Sequence, residues 1–442
     1  MKKTHAILLV ILLLAVAVRV LVAVYLGDVV DAPPLLTDQR SYHALGERLV
    51  AGQGFSFDRG WYPFTAADTP TAHWSFLYSL FVASIYGIFG VHPVSVRILQ
   101  AILGGMLLPL TVYVFSRRLF QAPSFRQHNV DVEALALLAA GIAAFYPYFI
   151  LYSATLMTET LYIIALLWTL YLAMRLAERP SLKHGLLFGI SLGTATLLRQ
   201  SILPWIMILM IWLGWVALRS GVFRRMIGAL AVSGLLLALM IAPFTIRNYR
   251  VYGEFLLLNS NAGYAMYSAQ HPMHGTDFQE FTAAPVPTEL TGLNEAQMDR
   301  DLMRRGIGFV LADPGRYLQL SLSRLVDFFE FWPSANTTLL NNIGRVGSFG
   351  LMLPFMILGI VTAVVWGAPK AVGGWLRFST TPLAMLLLFV VVYTVQHIFT
   401  WAMPRYRLPI DAVVLPFAAL GLSNVLHWIR LRVGKQKHIM NQ

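Results

Sequence analysis

Phe76-Leu77-Tyr78-Ser79-Leu80-Phe81-Val82-Ala83-Ser84-Ile85-Tyr86-Gly87-Ile88-Phe89-Gly90 is the stretch on which the fold turns. No residue in it is charged, yet the run closes on Gly87 and Gly90, short of the ~20 residues that a membrane-spanning helix requires. Ten other apolar runs accompany it, at residues 6–26, 98–115, 134–152, 155–174, 186–198, 202–218, 227–246, 349–366, 382–399 and 410–428. The run at 186–198 is short at ~1.5 Å per residue and is expected to borrow residues from Leu182 onward.

Charge decides how 76–90 is counted. With ten spans and a cytoplasmic N-terminus, Arg117, Arg118 and Arg126 fall inside, as do Arg175, Arg179 and Lys183. Arg219, Arg224 and Arg225, then Lys370 and Arg377, then the tail with Arg430, Arg432, Lys435 and Lys437 follow on the same side. That is the positive-inside pattern. An eleventh span at 76–90 would turn the next several basic loops outward. The segment therefore reads as a juxtamembrane or re-entrant helix on the outer face.

Composition agrees. The chain is 57% hydrophobic and 12% charged, with mean hydropathy +0.64, whereas a soluble domain carries about a quarter charged residues. This is an all-α integral membrane protein. The net charge of +12 resides largely in short loops and forms no patch interleaved with aromatics, so it speaks for topology and against nucleic acid. Anionic membrane lipid or a phosphate ligand is the partner chemistry that remains. The absence of cysteine excludes disulfides, thiol nucleophiles and cysteine metal sites.

At the start, Lys2, Lys3, the apolar run and Ala15-Val16-Ala17 imitate a signal peptide and its cleavage site. The run continues past Arg19 to Leu26, long enough to span, so a retained helix is expected and cleavage stays the alternative. Arg19 is costly in lipid and should face other helices or snorkel.

The topology leaves one membrane domain, residues 1–442, with two large outer segments forming a cap. The first covers residues 27–92, and the second covers 247–347. The second should hold a helix from Asn294 to Leu311, broken at Asp313-Pro314-Gly315. An interfacial helix over 317–332 is expected to follow.

The ionisable residues gather on that outer side. Leu36-Thr37-Asp38-Gln39-Arg40-Ser41-Tyr42-His43, running on to Gly52 and Gly54, is a polar loop after the first span. Glu159 opens the fourth span, Arg199 lies between two spans, and Arg247-Asn248-Tyr249-Arg250 follows the seventh. His397 closes the ninth, and Arg405-Tyr406-Arg407 with Asp411 leads into the tenth. Each arginine taken singly reads equally well as an interfacial anchor. Glu159 differs, because an unpaired carboxylate at an apolar helix start is expensive. Arginine forks suit phosphate and can stabilise charge on a leaving phosphate. A carboxylate can deprotonate an acceptor hydroxyl. Together they describe group transfer from a membrane phosphate ester to an alcohol. No phosphate loop for a nucleotide is present. His271, His274 and Asp277 have loose metal-like spacing but read as solvated side chains in a Pro/Gly loop.

The chain resembles, nearly end to end, the GT-C fold glycosyltransferases of the protein O-mannosyltransferase and aminoarabinose transferase type. The resemblance rests on Asp38-x-x-x-Tyr42 with Leu45, Leu49, Gly52 and Gly54, on Pro70-Thr71-Ala72, and on Thr158-Glu159. It continues through Leu198-Arg199, Pro243, Ile246-Arg247-Asn248-Tyr249, Gly263-Tyr264 and Arg405-Tyr406-Arg407-Leu408-Pro409. It implies a GT-C-like bundle of about ten transmembrane helices in the inner (plasma) membrane, with both termini cytoplasmic. It also implies an extracytoplasmic active site and a polyprenyl-phosphate-linked sugar as donor. Asp38 matches the catalytic base, and Glu159 the acidic position that orients acceptor or metal. Arg247, Arg405 and Arg407 match positions facing the lipid phosphate. Gln39 stands where many relatives carry a second acid, which weakens a divalent metal without removing it. Trp74-Ser75-Phe76 replaces the usual basic residue and Pro-Pro pair, leaving His73 as the nearby phosphate contact. Tyr42, Trp61, Tyr62 and Trp74 are candidates for sugar stacking.

The expected activity is inverting transfer of a sugar to an acceptor hydroxyl on protein, lipid or glycan. Tyr42, His73, Arg199, Arg247, Asn248, Tyr249, Arg405 and Arg407 would bind substrate. A transporter or lipid-carrier flippase is the alternative, although transporters place charges at the bilayer midplane of repeated halves. A non-catalytic assembly factor is a third reading.

Overall fold

The computed structural model describes residues 2–30, 38–279, 282–335, 337–367 and 374–440. Leu36, Thr37 and Lys370 lie outside them. Eight helices are long and apolar enough to cross a membrane: Lys3–Leu26, Pro93–Phe120, Glu159–Glu178, Gln200–Arg219, Phe223–Tyr252, Leu339–Gly367, Pro382–Phe399 and Pro404–Arg432. Among the described residues strand structure is limited to two isolated bridges in the first outer segment, Ser56–Pro70 and Trp61–Thr65.

The two remaining expected spans fall short for separate reasons. The run at 134–152 is broken into Val132–Phe145 and Pro147–Ser153, bent by 58°. Pro147 brings no N–H to the ladder, and the carbonyls freed there are taken by a side chain from the first helix. Arg19 is fully buried and donates from Nη1 to the Ala144 carbonyl (2.7 Å) and from Nη2 to that of Ala143 (3.1 Å). A guanidinium inside the bilayer is thus satisfied by backbone that a proline has left open. The other run forms Leu182–Leu198, 17 residues and ~25 Å long. Ser181 caps its start by accepting from the His184 N–H. Gly185 and Gly189 let its backbone lie directly on that of Phe223–Tyr252; a Cβ at Gly185 would stand 2.5 Å from the Ala229 carbonyl.

The deciding segment is a helix over Phe76–Phe89, capped by Ser75 and ended at Gly90 with φ +82°. At 14 residues it reaches only ~21 Å. It packs along Asp38–Val50, with Gly46 so close that a Cβ would meet Val82 Cγ1 at 2.6 Å. The Asp38 stretch is therefore helix rather than loop. Asp38 opens the first turn, where a carboxylate is favoured, and Tyr42, Leu45 and Gly46 form its buried face. Gly52 and Gly54, at φ +74° and +70°, turn the chain afterwards.

The two large segments expected to form the cap are joined by one buried carboxylate. Glu295 accepts from the Thr65 hydroxyl (2.5 Å) and the Ala72 N–H (2.8 Å) of the first segment, and from the Ser260 hydroxyl (2.8 Å) of the second. The helix Glu295–Ala312 begins in an Asn294–Gln297 capping box. Asp313 then caps the following Pro314–Phe328, whose Leu318, Leu322 and Val326 remain exposed.

Candidate active site

Asp38 and Glu159 each face an arginine from a distant part of the chain. Asp38 Oδ2 accepts from Arg405 Nη1 at 2.8 Å, across 367 residues of sequence. Glu159 Oε1 accepts from Arg199 Nη1 at 3.2 Å. Sequence-local geometry sets both up. Glu159 sits in the first turn of its helix, Arg199 caps the end of Leu182–Leu198, and Arg405 rides a single 3-10 turn, Pro404–Arg407. The carboxylates differ in access: the Asp38 side chain is 24% exposed and that of Glu159 only 2%. Asp38 is open to approach from outside, whereas Glu159 lies beneath the surface.

Tyr42 lies between the two pairs. It stands edge-on to Trp74 at 5.7 Å and to Tyr78 at 4.6 Å. Burial, then the negative charges of Asp38 and Glu159, hold its phenol well above the ordinary tyrosine range. It therefore enters any chemistry as a hydrogen-bonding group and not as a base. Four buried polar atoms around these residues have no partner among the described residues: Glu159 Oε2, Thr155 Oγ1, Trp74 Nε1 and Arg405 Nε. Such atoms are rare in folded interiors, and each leaves a hydrogen bond for water or a ligand to supply.

Gln39 is used structurally. Its Oε1 accepts from Arg97 Nη2 (3.0 Å) and from the Leu156 N–H (3.2 Å), tying the Asp38 helix to the strand of chain that leads into Glu159. Among the described residues no group of three His, Asp or Glu could hold a metal. With a guanidinium already against each carboxylate and an amide at position 39, the donor set does not suit a divalent cation.

The other expected contacts each have their own partners. Arg407 is fully buried, bonded to Asp411 (3.0 Å) and the Phe328 carbonyl (2.6 Å) and stacked 3.6 Å from the Phe349 ring centroid. These contacts tie it into the bundle. Asn248 is buried and donates to the Leu256 and Leu258 carbonyls, closing the end of its helix. Tyr249 is 61% exposed. Arg247 lies among Phe55, Phe76 and Tyr252 and donates to Asn248 Oδ1, with no carboxylate paired to it among the described residues. His73 donates from Nδ1 to the Ser260 carbonyl, and burial pushes its pKa down.

The first-segment aromatics divide similarly. Trp61 stacks on Phe57 and donates to Ser41, and Tyr62 donates to Tyr264; Trp74 alone keeps an unpartnered donor. His274 is buried instead of solvated: Nε2 meets the Ser268 carbonyl, and Nδ1 accepts from the Gln279 N–H. Tyr406 was not among the expected site residues. Its ring lies 5.0 Å from the Arg199 guanidinium and 5.2 Å from that of Arg405.

The whole architecture has a solved counterpart. The apo oligosaccharyltransferase of Archaeoglobus fulgidus matches with a TM-score of 0.58 over 99% of this chain, at 16% identity. This is a GT-C fold. The GT-C chain spans about half of that protein, which it covers to 52%. Two structures of ArnT from Cupriavidus metallidurans also align. The undecaprenyl-phosphate-bound form has TM-score 0.48, 14% identity, and coverage of 96% of this chain and 60% of ArnT. The apo form has 0.41, 15%, 92% and 77% respectively. Residues 73–246 match the family model for dolichyl-phosphate-mannose-protein mannosyltransferase. No curated protein matches the sequence.

Proposed function

We propose that the protein is a membrane glycosyltransferase that moves a sugar from a polyprenyl-phosphate donor to an acceptor hydroxyl, with inversion, on the extracytoplasmic face. The observation that carries this reading is the pairing of Asp38 with Arg405 and of Glu159 with Arg199 around one GT-C site. The family match over residues 73–246, which include Glu159 and Arg199, supports a lipid-phosphate sugar as donor. The basic loops supply the sidedness, since the positive-inside rule puts this face outside.

Charge explains the steps. The two carboxylates and two guanidiniums sum to zero, and a sugar phosphodiester adds one negative charge. Its phosphate oxygens compete with Asp38 for Arg405, and the unpartnered Arg405 Nε offers them a further donor. Asp38, losing its cation, becomes the stronger base. It takes the proton of the acceptor hydroxyl as that oxygen bonds to the anomeric carbon. The bond from that carbon to the phosphate oxygen breaks, and its electron pair leaves on the polyprenyl phosphate. Attack opposite the leaving group inverts the anomeric centre. Arg405 and Arg199 stabilise the growing phosphate charge. Glu159, buried and charge-paired, holds Arg199 in place.

The test is transfer from a polyprenyl-phosphate hexose by purified protein in lipid nanodiscs. Asp38→Asn should lower turnover by at least about a thousandfold, while donor affinity stays within about threefold of wild type. Undiminished turnover would remove Asp38 as the base.

A further inference from the structure

The Asp38–Val50 helix buries one face, with Tyr42, Leu45 and Gly46, and uses another for a second set of polar groups. Arg40, His43 and Glu47 recur at i, i+3 and i+7, which aligns them on one side of a helix. With Asp58, Arg59 and Trp61 of the chain that follows, they wall a cavity of about 550 Å³ that neither Asp38 nor Glu159 lines. That size lies within the roughly 300–1,000 Å³ of small-molecule sites. The walls are tied in place. Arg48 donates to Ser56 (3.0 Å) and Asp68 (2.7 Å), fixing this turn of chain on the helix. Trp61 stacks on Phe57 at 4.4 Å and 2°, and its Nε1 donates to Ser41 at 2.9 Å. With one face and its N–H engaged, Trp61 offers the cavity carbon surface. His43 Nδ1 meets the Tyr86 hydroxyl at 2.8 Å, and its Nε2 lies 3.6 Å from Glu47.

Charge selects the class of ligand. Arg40, Arg48 and Arg59 stand against Glu47 and Asp58 in the lining, and Asp68 pairs with Arg48. The cavity therefore has no dominant sign: an anion would meet the carboxylates, and a cation the guanidiniums. A sugar hydroxyl is neutral and both donates and accepts, so it uses both kinds of side chain at once. Planar guanidinium and carboxylate groups can each span two neighbouring hydroxyls, and an indole packs against the C–H face of a pyranose. A lipid would bring chains as well as a headgroup, yet apart from Trp61 the apolar lining is only Val30, Ala44 and Ala51. We propose that this cavity is a binding site for a neutral glycan, separate from the candidate active site. It shares no residue with the two carboxylate–arginine pairs, so it stands whether or not the chain transfers sugar.

The experiment uses the full-length protein in nanodiscs, with neutral trisaccharides of glucose, mannose and galactose as probes. At least one should bind, and its affinity should change by less than about twofold between about 0.05 and 0.5 M salt, since the ligand is uncharged. Glu47→Ala and Arg59→Ala should each weaken binding at least about tenfold, the loss of a hydrogen bond to a charged group. Glu47→Gln keeps an acceptor oxygen and should stay within about threefold of wild type. The Glu47 and Arg59 side chains are 48% and 72% exposed, so these variants should melt like wild type. Because the native sequence contains no cysteine, Ala51→Cys places a single thiol in the cavity wall. Trisaccharide at about ten times its Kd should slow maleimide labelling of that thiol roughly tenfold. Binding of no trisaccharide, or binding that leaves the Ala51→Cys thiol unprotected, overturns the proposal. Binding of glycerophosphoethanolamine in place of any trisaccharide also overturns it and makes the cavity a lipid-headgroup site. A wild type that binds a trisaccharide there but transfers no sugar removes the transferase reading alone.

Discussion

Arg405 and Arg407 are two residues apart, of one type, and were expected to share one task, yet they stand in opposite environments. Arg405 reaches a partly exposed Asp38, while Arg407 is sealed against Asp411 and Phe349. Removing one partner of a buried pair strands the other charge, at about 3–5 kcal/mol. Arg407→Gln should therefore lower the melting temperature strongly, whereas Arg405→Gln should leave it nearly unchanged and abolish donor binding. Thermal denaturation alongside lipid-phosphate titration checks both, and the reverse pattern would exchange the two roles. Part of this contrast was legible. Arg407 and Asp411 are spaced i, i+4 as helical partners. The Asp38–Arg405 pair was not, because nothing in a sequence records contact between opposite ends of the chain. Asp299 gives a second test at this scale. Burial raises its carboxyl to about 6, while Oδ1 accepts from the Gly263 N–H at 2.8 Å. The folded pKa exceeds the unfolded one, so its contribution to stability is complete below about pH 4 and lost as pH rises through 6. Asp299→Asn keeps an acceptor for Gly263 without the buried charge. It should slow hydrogen exchange of Ala262–Gln270 at pH 7 by an amount worth about 1–2 kcal/mol, with the difference vanishing near pH 4.

The helix at 134–152 was misjudged in continuity, whereas the run at 186–198 begins at Leu182 as expected. Composition alone marks 134–152 as a straight span, and only Pro147 hints at the bend. What makes the bend tolerable is Arg19, more than a hundred residues earlier, so neither residue announces the other. The short helix Leu182–Leu198 carried a plainer signal: Gly185, Gly189 and Gly193 recur every fourth residue, the pattern of close helix contact in membranes. A Cβ at Gly189 would lie 2.8 Å from the Ser233 carbonyl. That helix ends at Arg199, so its seating against Phe223–Tyr252 also sets where Arg199 stands. Gly189→Val should destabilise the protein by about 1–3 kcal/mol through overpacking. It should also weaken donor binding, although position 189 lies below the site. Gly214→Val, at a position with open space around it, serves as the control that should change neither property.

At the scale of the molecule, the helical membrane architecture was the most legible property, because it follows from where charge is absent. The short helix Phe76–Phe89 was read as a non-spanning element from the parity of basic loops, and its 14-residue length agrees. The cap was less legible. Glu295 joins the two outer segments through Thr65, Ala72 and Ser260, a set of contacts with no sequence pattern. Sidedness can be tested without background, since the native sequence contains no cysteine. Thr69 is exposed in the first cap segment, and Ser220 is exposed near Arg219, Arg224 and Arg225 in sequence. In intact bacterial spheroplasts, Thr69→Cys should react with a membrane-impermeant maleimide, and Ser220→Cys should react only after permeabilisation. The gain of one accessible side over the other should exceed about tenfold, since inverting a multi-span bundle is not a local fluctuation. Labelling of Ser220→Cys from outside would invert the whole arrangement. The carboxylate–arginine pairs would then face the cytoplasm, where nucleotide sugars would compete with lipid-linked ones as donors.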